Sequence, residues 1–401
     1  MRYLILMIFS LTIYLGYLII EQISLKKIQN QIPIRICVTG TRGKSGVVRM
    51  LAAILRESGL KTLAKVTGSK PVIIFPDGHE EEIRRLGPAT ILEQIRIMRL
   101  AGRLRVDAVV IEIMSINPEN HYVESCKIIN PQVVAITNIR LDHTGKMGMS
   151  RAEIAATIGL TIPKSGTVLV NETDYTDFFK QIAANYQATV MAVPGLNEDE
   201  LPPDNQLKHV EFKENLELSL AVANFLKITK ERSLTALLKI TPYFGSLRVW
   251  QLNDSINSPN YLAISAFAAN DPESTRKVFD KCREKMGIKD EDKDIIGLLN
   301  LRADRPERMA QWGDVLRSGA YLNIKKLILI GDRFTCLYLQ RKLRANQDFE
   351  ISIVSGEKPE KIMEAIFKIS AAHSVVFGFG NIKGAGEKLI NYWDSCGRKI
   401  L

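Results

Sequence analysis

The apolar positions of this chain follow three patterns in succession. From Tyr3 to Ile20 no charged residue interrupts the run, and at about 1.5 Å per helical residue it covers roughly 27 Å, close to the hydrocarbon thickness of a bilayer. Beyond it, short wholly apolar runs alternate with stretches of helical spacing, which predicts a largely parallel sheet with helices on its faces. Strands are expected at Ile34–Val38, Leu63–Val66, Ala108–Ile113, Val133–Thr137 and Thr167–Val170, with helices over Gly46–Ser58, Ala89–Ala101 and Arg151–Ile158. The acidic, proline-bearing segment 197–205 reads as a loop, and helical spacing returns over Glu214–Leu226. A second alternation starts near Arg248, with apolar runs at Tyr261–Phe267, Asp294–Leu301, Leu327–Gly331, Ile351–Val354 and Ser374–Phe379. The expected fold class is α/β in three parts: an N-terminal anchor (1–24), a central domain with a mostly parallel sheet (25–245), and a smaller Rossmann-like C-terminal α/β domain (246–401).

Composition narrows the partners. A chain of 401 residues exceeds one ordinary core and implies about two domains plus extras. Its charge of +10, from 54 basic and 44 acidic residues, suits a membrane surface or anionic substrates. No block of like charge and no basic patch interleaved with aromatics occurs, so no nucleic-acid partner is expected. Cys37, Cys126, Cys282, Cys336 and Cys396 are scattered without C-x-x-C spacing, and their odd number speaks against a disulfide framework. The apolar run at the N-terminus is read as an uncleaved, single-pass membrane anchor. A signal peptide is the alternative, but no small-x-small cleavage site follows before Lys26 and Lys27. Lys26, Lys27 and Arg35 downstream, against Arg2 upstream, put the body on the cytoplasmic side.

The first strand runs into Thr39-Gly40-Thr41-Arg42-Gly43-Lys44-Ser45, a glycine-bounded turn with a lysine and a hydroxyl at the start of a helix. Successive backbone N–H groups and the positive helix end then face one point, Lys44 reaches terminal phosphate oxygens, and the Ser45 hydroxyl is a ligand for Mg²⁺. Val38 stands where the full Walker pattern has its first glycine, which leaves a compact version of the turn. Two further features belong with it. Glu112 lies inside the otherwise apolar run Asp107–Ile113, and a carboxylate there needs a cation or an exposed strand end; a magnesium ligand is the favoured reading and a surface glutamate on an edge strand the alternative. Thr137-Asn138-Ile139-Arg140-Leu141-Asp142-His143 also leaves a strand for a polar turn, and ligands of open α/β sheets lie beyond such strand ends. Asn138, Asp142 and His143 offer hydrogen bonds or metal ligation there, whereas His79, His121, His209 and His373 lack comparable company and read as structural.

These three motifs, in this order and spacing, resemble the nucleotide site of the Mur ligase superfamily over roughly residues 32–401. Within it the chain looks most like the poly-gamma-glutamate synthase branch of capsule biosynthesis. The single anchor, the missing UDP-sugar-binding domain, Arg42, and the segments Ala268–Ser274 and Leu299–Pro306 carry that likeness. The resemblance implies a Mur-ligase-like P-loop ATPase central domain and an ATP-dependent amide ligase. It implies ATP held by Gly40, Thr41, Arg42, Gly43, Lys44 and Ser45, with Asn138 beside the phosphates. Asn215 is similar to the asparagine near the adenine, Arg248 to the arginine reaching the nucleotide from the linker, and Asn270 and Asp271 to the C-terminal motif. Ser45 and Glu112 would hold one Mg²⁺ and His143 help hold a second, so Lys44, Glu112 and His143 form the implied catalytic set. Two departures stand out. Ala266 and Phe267 occupy the places of the aspartates that usually precede Asn270, and Ala155–Gly159 offers no lysine for carbamylation.

The implied reaction activates a carboxylate, that of glutamate or of a growing poly-gamma-glutamate chain, as an acyl phosphate that an amine then attacks. Arg302, Arg305 and Arg308 are candidates to receive the anionic polymer, with a solvated charged face as the alternative. Other membrane subunits of a synthase or export complex are expected partners. Two other functions remain open on the sequence: a membrane-anchored P-loop NTPase that energises export or acts as a kinase, and a non-catalytic scaffold of a capsule-export complex.

Overall fold

Apolar on nearly every position, the run Ile34–Thr39 can be buried on both faces only in the middle of a sheet, and that is where it lies. The structure, a computed structural model, describes all residues except 1, 69, 203–205, 208–210, 244, 253–260, 289–293, 320, 344–348, 371–373 and 401. His209, His373 and positions 203–205 of the expected loop lie outside the described residues. The chain forms two units, the first from the N-terminus to Ile240 and the second from Thr241 onward; the second also takes Leu141–Gly145 and the described residues of 204–211.

Among the described residues the first unit carries β1 (Ile34–Thr39), β2 (Thr62–Val66), β3 (Val72–Ile74), β4 (Glu80–Glu82), β5 (Ala108–Glu112), β6 (Val133–Ile136), β7 (Thr167–Val170) and β8 (Thr189–Ala192). They form one sheet in the order β4-β3-β2-β5-β1-β6-β7-β8. All neighbours are parallel from β2 to β8, and β3 and β4 add an antiparallel edge. This hairpin escapes a periodicity reading because β4 is three exposed glutamates and β3 only three residues long. The register Val38↔Glu112 and Thr39↔Ile136 brings three strand ends to one rim.

Three helices matter for the site and its setting. The N-terminal helix α1 (Arg2–Gln31) continues beyond the expected end of the anchor because Leu25 and Ile28 pack on the first unit's core. There Gln29 is buried, its Nε2 donating to the carbonyls of Lys127 (2.8 Å) and Ile128 (2.9 Å). Arg35 closes that end: its guanidinium donates to the carbonyls of Gln29, of Ile32 at 2.7 Å and of Asn130 at 2.8 Å. The helix α2 (Lys44–Glu57) opens directly from Gly43, whose φ of 81° is left-handed and so favours glycine. The third, α3 (Leu92–Leu104), ends where Arg105 turns left-handed at φ 50°.

In the second unit β9 (Arg248–Leu252), β10 (Tyr261–Ser265), β11 (Ile295–Asn300), β12 (Lys326–Gly331), β13 (Glu350–Ser355), β14 (Val375–Gly380) and β15 (Arg398–Lys399) order as β13-β12-β11-β14-β10-β9-β15. Five strands are parallel, and β9 and β15 form an antiparallel edge. Trp250, Phe267 and Trp393 pack at the centre of its core. Phe267 explains the missing aspartates of the C-terminal motif: its ring lies 6.1 Å from that of Trp393 and against Gly378 and Gly386, filling space that a carboxylate would leave open.

Candidate active site

The phosphate turn of the first unit is built by backbone that only glycine adopts easily. Gly40 has φ 118°, and a Cβ on it would overlap Thr137 Oγ1; a Cβ on Gly43 would overlap Asn215 Oδ1. Both turn glycines are therefore required twice, by dihedral and by space. Lys44 folds back over the turn, its Nζ donating to the Gly40 carbonyl at 2.7 Å, so its charge sits at the rim.

Asn138 braces this turn rather than only facing a ligand. Its Oδ1 accepts from Thr41 Oγ1 (2.7 Å) and from the Arg42 N–H (3.0 Å), while its Nδ2 donates to the Arg42 carbonyl (3.1 Å). The Asn138 carbonyl accepts from Thr41 N at 3.0 Å. Two turn residues, Thr41 and Arg42, are thus tied to the chain just beyond β6 before any ligand arrives. Asn215, at the start of the helix Lys213–Phe225, packs its carboxamide on Gly43 from the other side.

Glu112 closes β5 at 3% exposure and is not an edge-strand glutamate. Its Oε2 accepts from Ser45 Oγ at 2.9 Å and from the Thr67 N–H at 2.8 Å. Ser45 Oγ and Glu112 Oε2 thus present two hard oxygen donors side by side, which fits a divalent ion that completes its shell with phosphate oxygens and water. Among the described residues no group of three or more His, Cys, Asp or Glu forms a metal-ligand cluster, so protein oxygens would be a minority of such a shell.

A buried polar layer behind Glu112 escaped the sequence reading. Glu124 accepts from the backbone N–H groups of Met114 and Ser115, both at 2.9 Å, and from Gln94 Nε2 at 2.5 Å. Gln94 also donates to the Glu112 carbonyl (3.3 Å) and accepts from the buried Lys65 (3.0 Å). Burial pulls the Lys65 pKa down, opposed by Glu93 at 3.1 Å. The signal was available: Lys65 interrupts the apolar strand Thr62–Val66. His121, read as structural, lies buried near Lys44. Its pKa is pushed down to about 4, by burial first and by the Lys44 charge second, so the imidazole is neutral at physiological pH.

The remaining site residues belong to the second unit. His143 has φ 51°; Arg305 Nη1 donates to its Nδ1 at 3.2 Å, and its Nε2 lies 3.5 Å from Asp142. Arg308 is buried, donating to Asn381 Oδ1 at 2.7 Å and to Asp142 at 3.3 Å, and Arg302 is paired with Asp304 at 2.6 Å. Arg248 donates to Asp394 at 2.8 Å. Asn270 sits at φ 64°, with its carbonyl accepting from Trp312 Nε1 at 3.2 Å. Asp271 caps the helix Pro272–Met286, its Oδ1 accepting from Ser274 N at 2.8 Å.

Comparison with known proteins agrees with this geometry. The Mur ligase middle domain family matches residues 38–237, and the poly-gamma-glutamate synthase CapB C-terminal domain family matches residues 253–396. PGA synthase CapB of Bacillus subtilis (strain 168) is 33% identical over 395 residues, covering 96% of each chain. The capsule biosynthesis protein CapB of Bacillus anthracis is 30% identical, covering 96% of this chain and 82% of that one. A bifunctional folylpolyglutamate synthase/dihydrofolate synthase from Yersinia pestis, solved with AMPPNP and a manganese ion, superposes with a TM-score of 0.61 at 15% identity, covering 93% of this chain and 91% of that one. Two α/β units and a braced phosphate turn with an acidic strand end beside it define an ATP-dependent ligase of the Mur type, an enzyme that forms amide bonds and uses a divalent metal ion. Within that class, the chain belongs to the CapB poly-gamma-glutamate synthase family.

Proposed function

We propose that this enzyme activates the γ-carboxyl of glutamate, or of the end of a growing poly-gamma-glutamate chain, as an acyl phosphate and joins it to an amino-acid amine, releasing ADP and phosphate. The observation that carries the reading is the Ser45–Glu112 oxygen pair at 2.9 Å beside a turn already braced by Asn138. The carboxylate attacks the γ-phosphorus of ATP in line. The N–H groups of the turn and the Lys44 ammonium stabilise charge that grows on the phosphoryl oxygens. Ser45 and Glu112 would hold Mg²⁺, which when bound would neutralise part of that charge.

His143 assists a second ion, Asn215 lies by the adenine, and Arg248, Asn270 and Asp271 serve the nucleotide from the C-terminal domain. Residues 1–24 anchor the enzyme as a single membrane pass with its body in the cytoplasm, residues 25–245 bind ATP, and residues 246–401 complete the ligase. Other membrane subunits extend the system to export. Supplying the membrane-held chain with ATP, Mg²⁺, glutamate and hydroxylamine tests the reading. A ligase yields ADP and a trapped hydroxamate, whereas a stable phosphoester marks a kinase and untouched ATP marks a scaffold.

A further inference from the structure

The end of α1 and the end of α3 are tied to adjacent strands: Gln31 precedes β1, Leu104 precedes β5, and Ile34 pairs with Ala108. Both helices run antiparallel to those strands and pack on each other, with Ile28 against Gly102 and Glu21 paired to Arg99 at 2.7 Å. Counting back along the two helices at about 1.5 Å per residue sets Leu92, the first residue of α3, about level with Ile19, near the end of the uncharged run. The strands run the opposite way, so the phosphate turn and the N-terminal part of α1 lie toward the same side of the sheet.

What lies at that level is exposed, apolar and basic. Leu86 is fully exposed and Leu92 59% exposed, with Arg84 and Arg96 exposed beside them in sequence, and the exposed Lys26 and Lys27 follow about two turns further along α1. Nearby acids are matched: Glu82 by Lys70 at 3.3 Å and Glu93 by Arg85 at 2.6 Å. Because Gln29 and Arg35 lock α1 to the first unit, this face has a fixed orientation to the helix and is not carried on a loose tether.

Resting on the reading of α1 as a membrane span, we infer that the segment Arg84–Arg96 is a second membrane contact, lying on anionic phospholipid headgroups and holding the nucleotide rim toward the bilayer. Leucines at the headgroup boundary with arginines among phosphates are the chemistry of interfacial binding, and continuity with the span supplies the proximity.

The test labels the full-length chain with an environment-sensitive fluorophore at Leu86→Cys or Leu92→Cys, in a Cys396→Ser background, in vesicles carrying brominated lipid tails. Ile13→Cys reports the span, and Asn185→Cys reports an exposed site at the opposite end of the strands. Labels at 86 and 92 should be quenched about twofold more in phosphatidylglycerol-containing vesicles than in pure phosphatidylcholine, with the label at 185 unquenched in both. Labels at 86 and 92 that behave like the one at 185 while the label at 13 is quenched overturn the contact alone. Equal quenching in both lipids overturns the anionic partner. An unquenched label at 13 refutes the span, and the contact with it.

Discussion

Gly43→Ala loads two costs onto one residue of the phosphate turn. The backbone there is left-handed, and an L side chain adopts it at a cost of about 1–2 kcal/mol. The added methyl also overlaps Asn215 Oδ1 and stands 3.0 Å from that side chain's Cγ and Nδ2. Relieving such crowding in a packed site costs a further 1–3 kcal/mol or about that. Gly59→Ala is the control, since its φ is 90° and the new Cβ would meet no heavy atom within 4 Å. Denaturant unfolding of the detergent-solubilised chain should therefore place Gly43→Ala about 1–3 kcal/mol below Gly59→Ala. Affinity for a fluorescent ATP analogue with Mg²⁺ should fall about tenfold or more for Gly43→Ala, the equivalent of about 1.4 kcal/mol for a displaced turn, and should not change for Gly59→Ala. Adding Asn215→Ala to Gly43→Ala removes the obstacle and should recover most of the difference. Equal stability in the two glycine variants, with nucleotide affinity intact in both, would refute the packing of Asn215 on the turn.

Lys44→Ala should abolish turnover, by about a hundredfold or more, with an unchanged unfolding temperature; normal activity in the folded variant would defeat its assignment. Glu112→Gln should raise the divalent-ion concentration for half-maximal activity about tenfold or more while membrane attachment is unchanged, and an unaltered metal titration counts against Glu112 as ligand. For His121 the sign follows from its lowered pKa. The unfolded chain takes up the proton near pH 6.5 and the folded chain only near pH 4, so stability is lost as pH falls across that window, by about 3 kcal/mol at most. His121→Asn should flatten this acid limb in unfolding measurements; a limb identical to the parent's would mean that the imidazole is not buried and neutral.

The sequence was most informative where one physical demand dominates. The strands on either side of the phosphate turn were readable because central parallel strands must be apolar throughout, and the turn because its dihedrals call for glycine. Phe267 and the buried layer were not readable for a different reason. Lys65, Gln94 and Glu124 come from three separate elements, and their hydrogen bonds exist only once those elements pack. The same holds for the structural contacts of Asn138 and Asp271: one braces the turn and the other caps a helix, through neighbours about a hundred residues away and three residues away. The anchor was bounded at residue 24, and the continuation of α1 to Gln31 was not legible because Gln29 looks polar, although it is buried against the carbonyls of Lys127 and Ile128. Its hydropathy marks a helix long and apolar enough to cross a membrane but not the lock that follows.

The central claim is that a carboxylate is phosphorylated before an amine attacks it, and isotope transfer reads that step directly. Glutamate or polymer labelled with ¹⁸O in its carboxyl groups, given to the membrane-held enzyme with ATP and Mg²⁺, should pass one labelled oxygen to the inorganic phosphate released with each amide bond. Phosphate free of label while amide bonds form, or label recovered in AMP, would contradict the account.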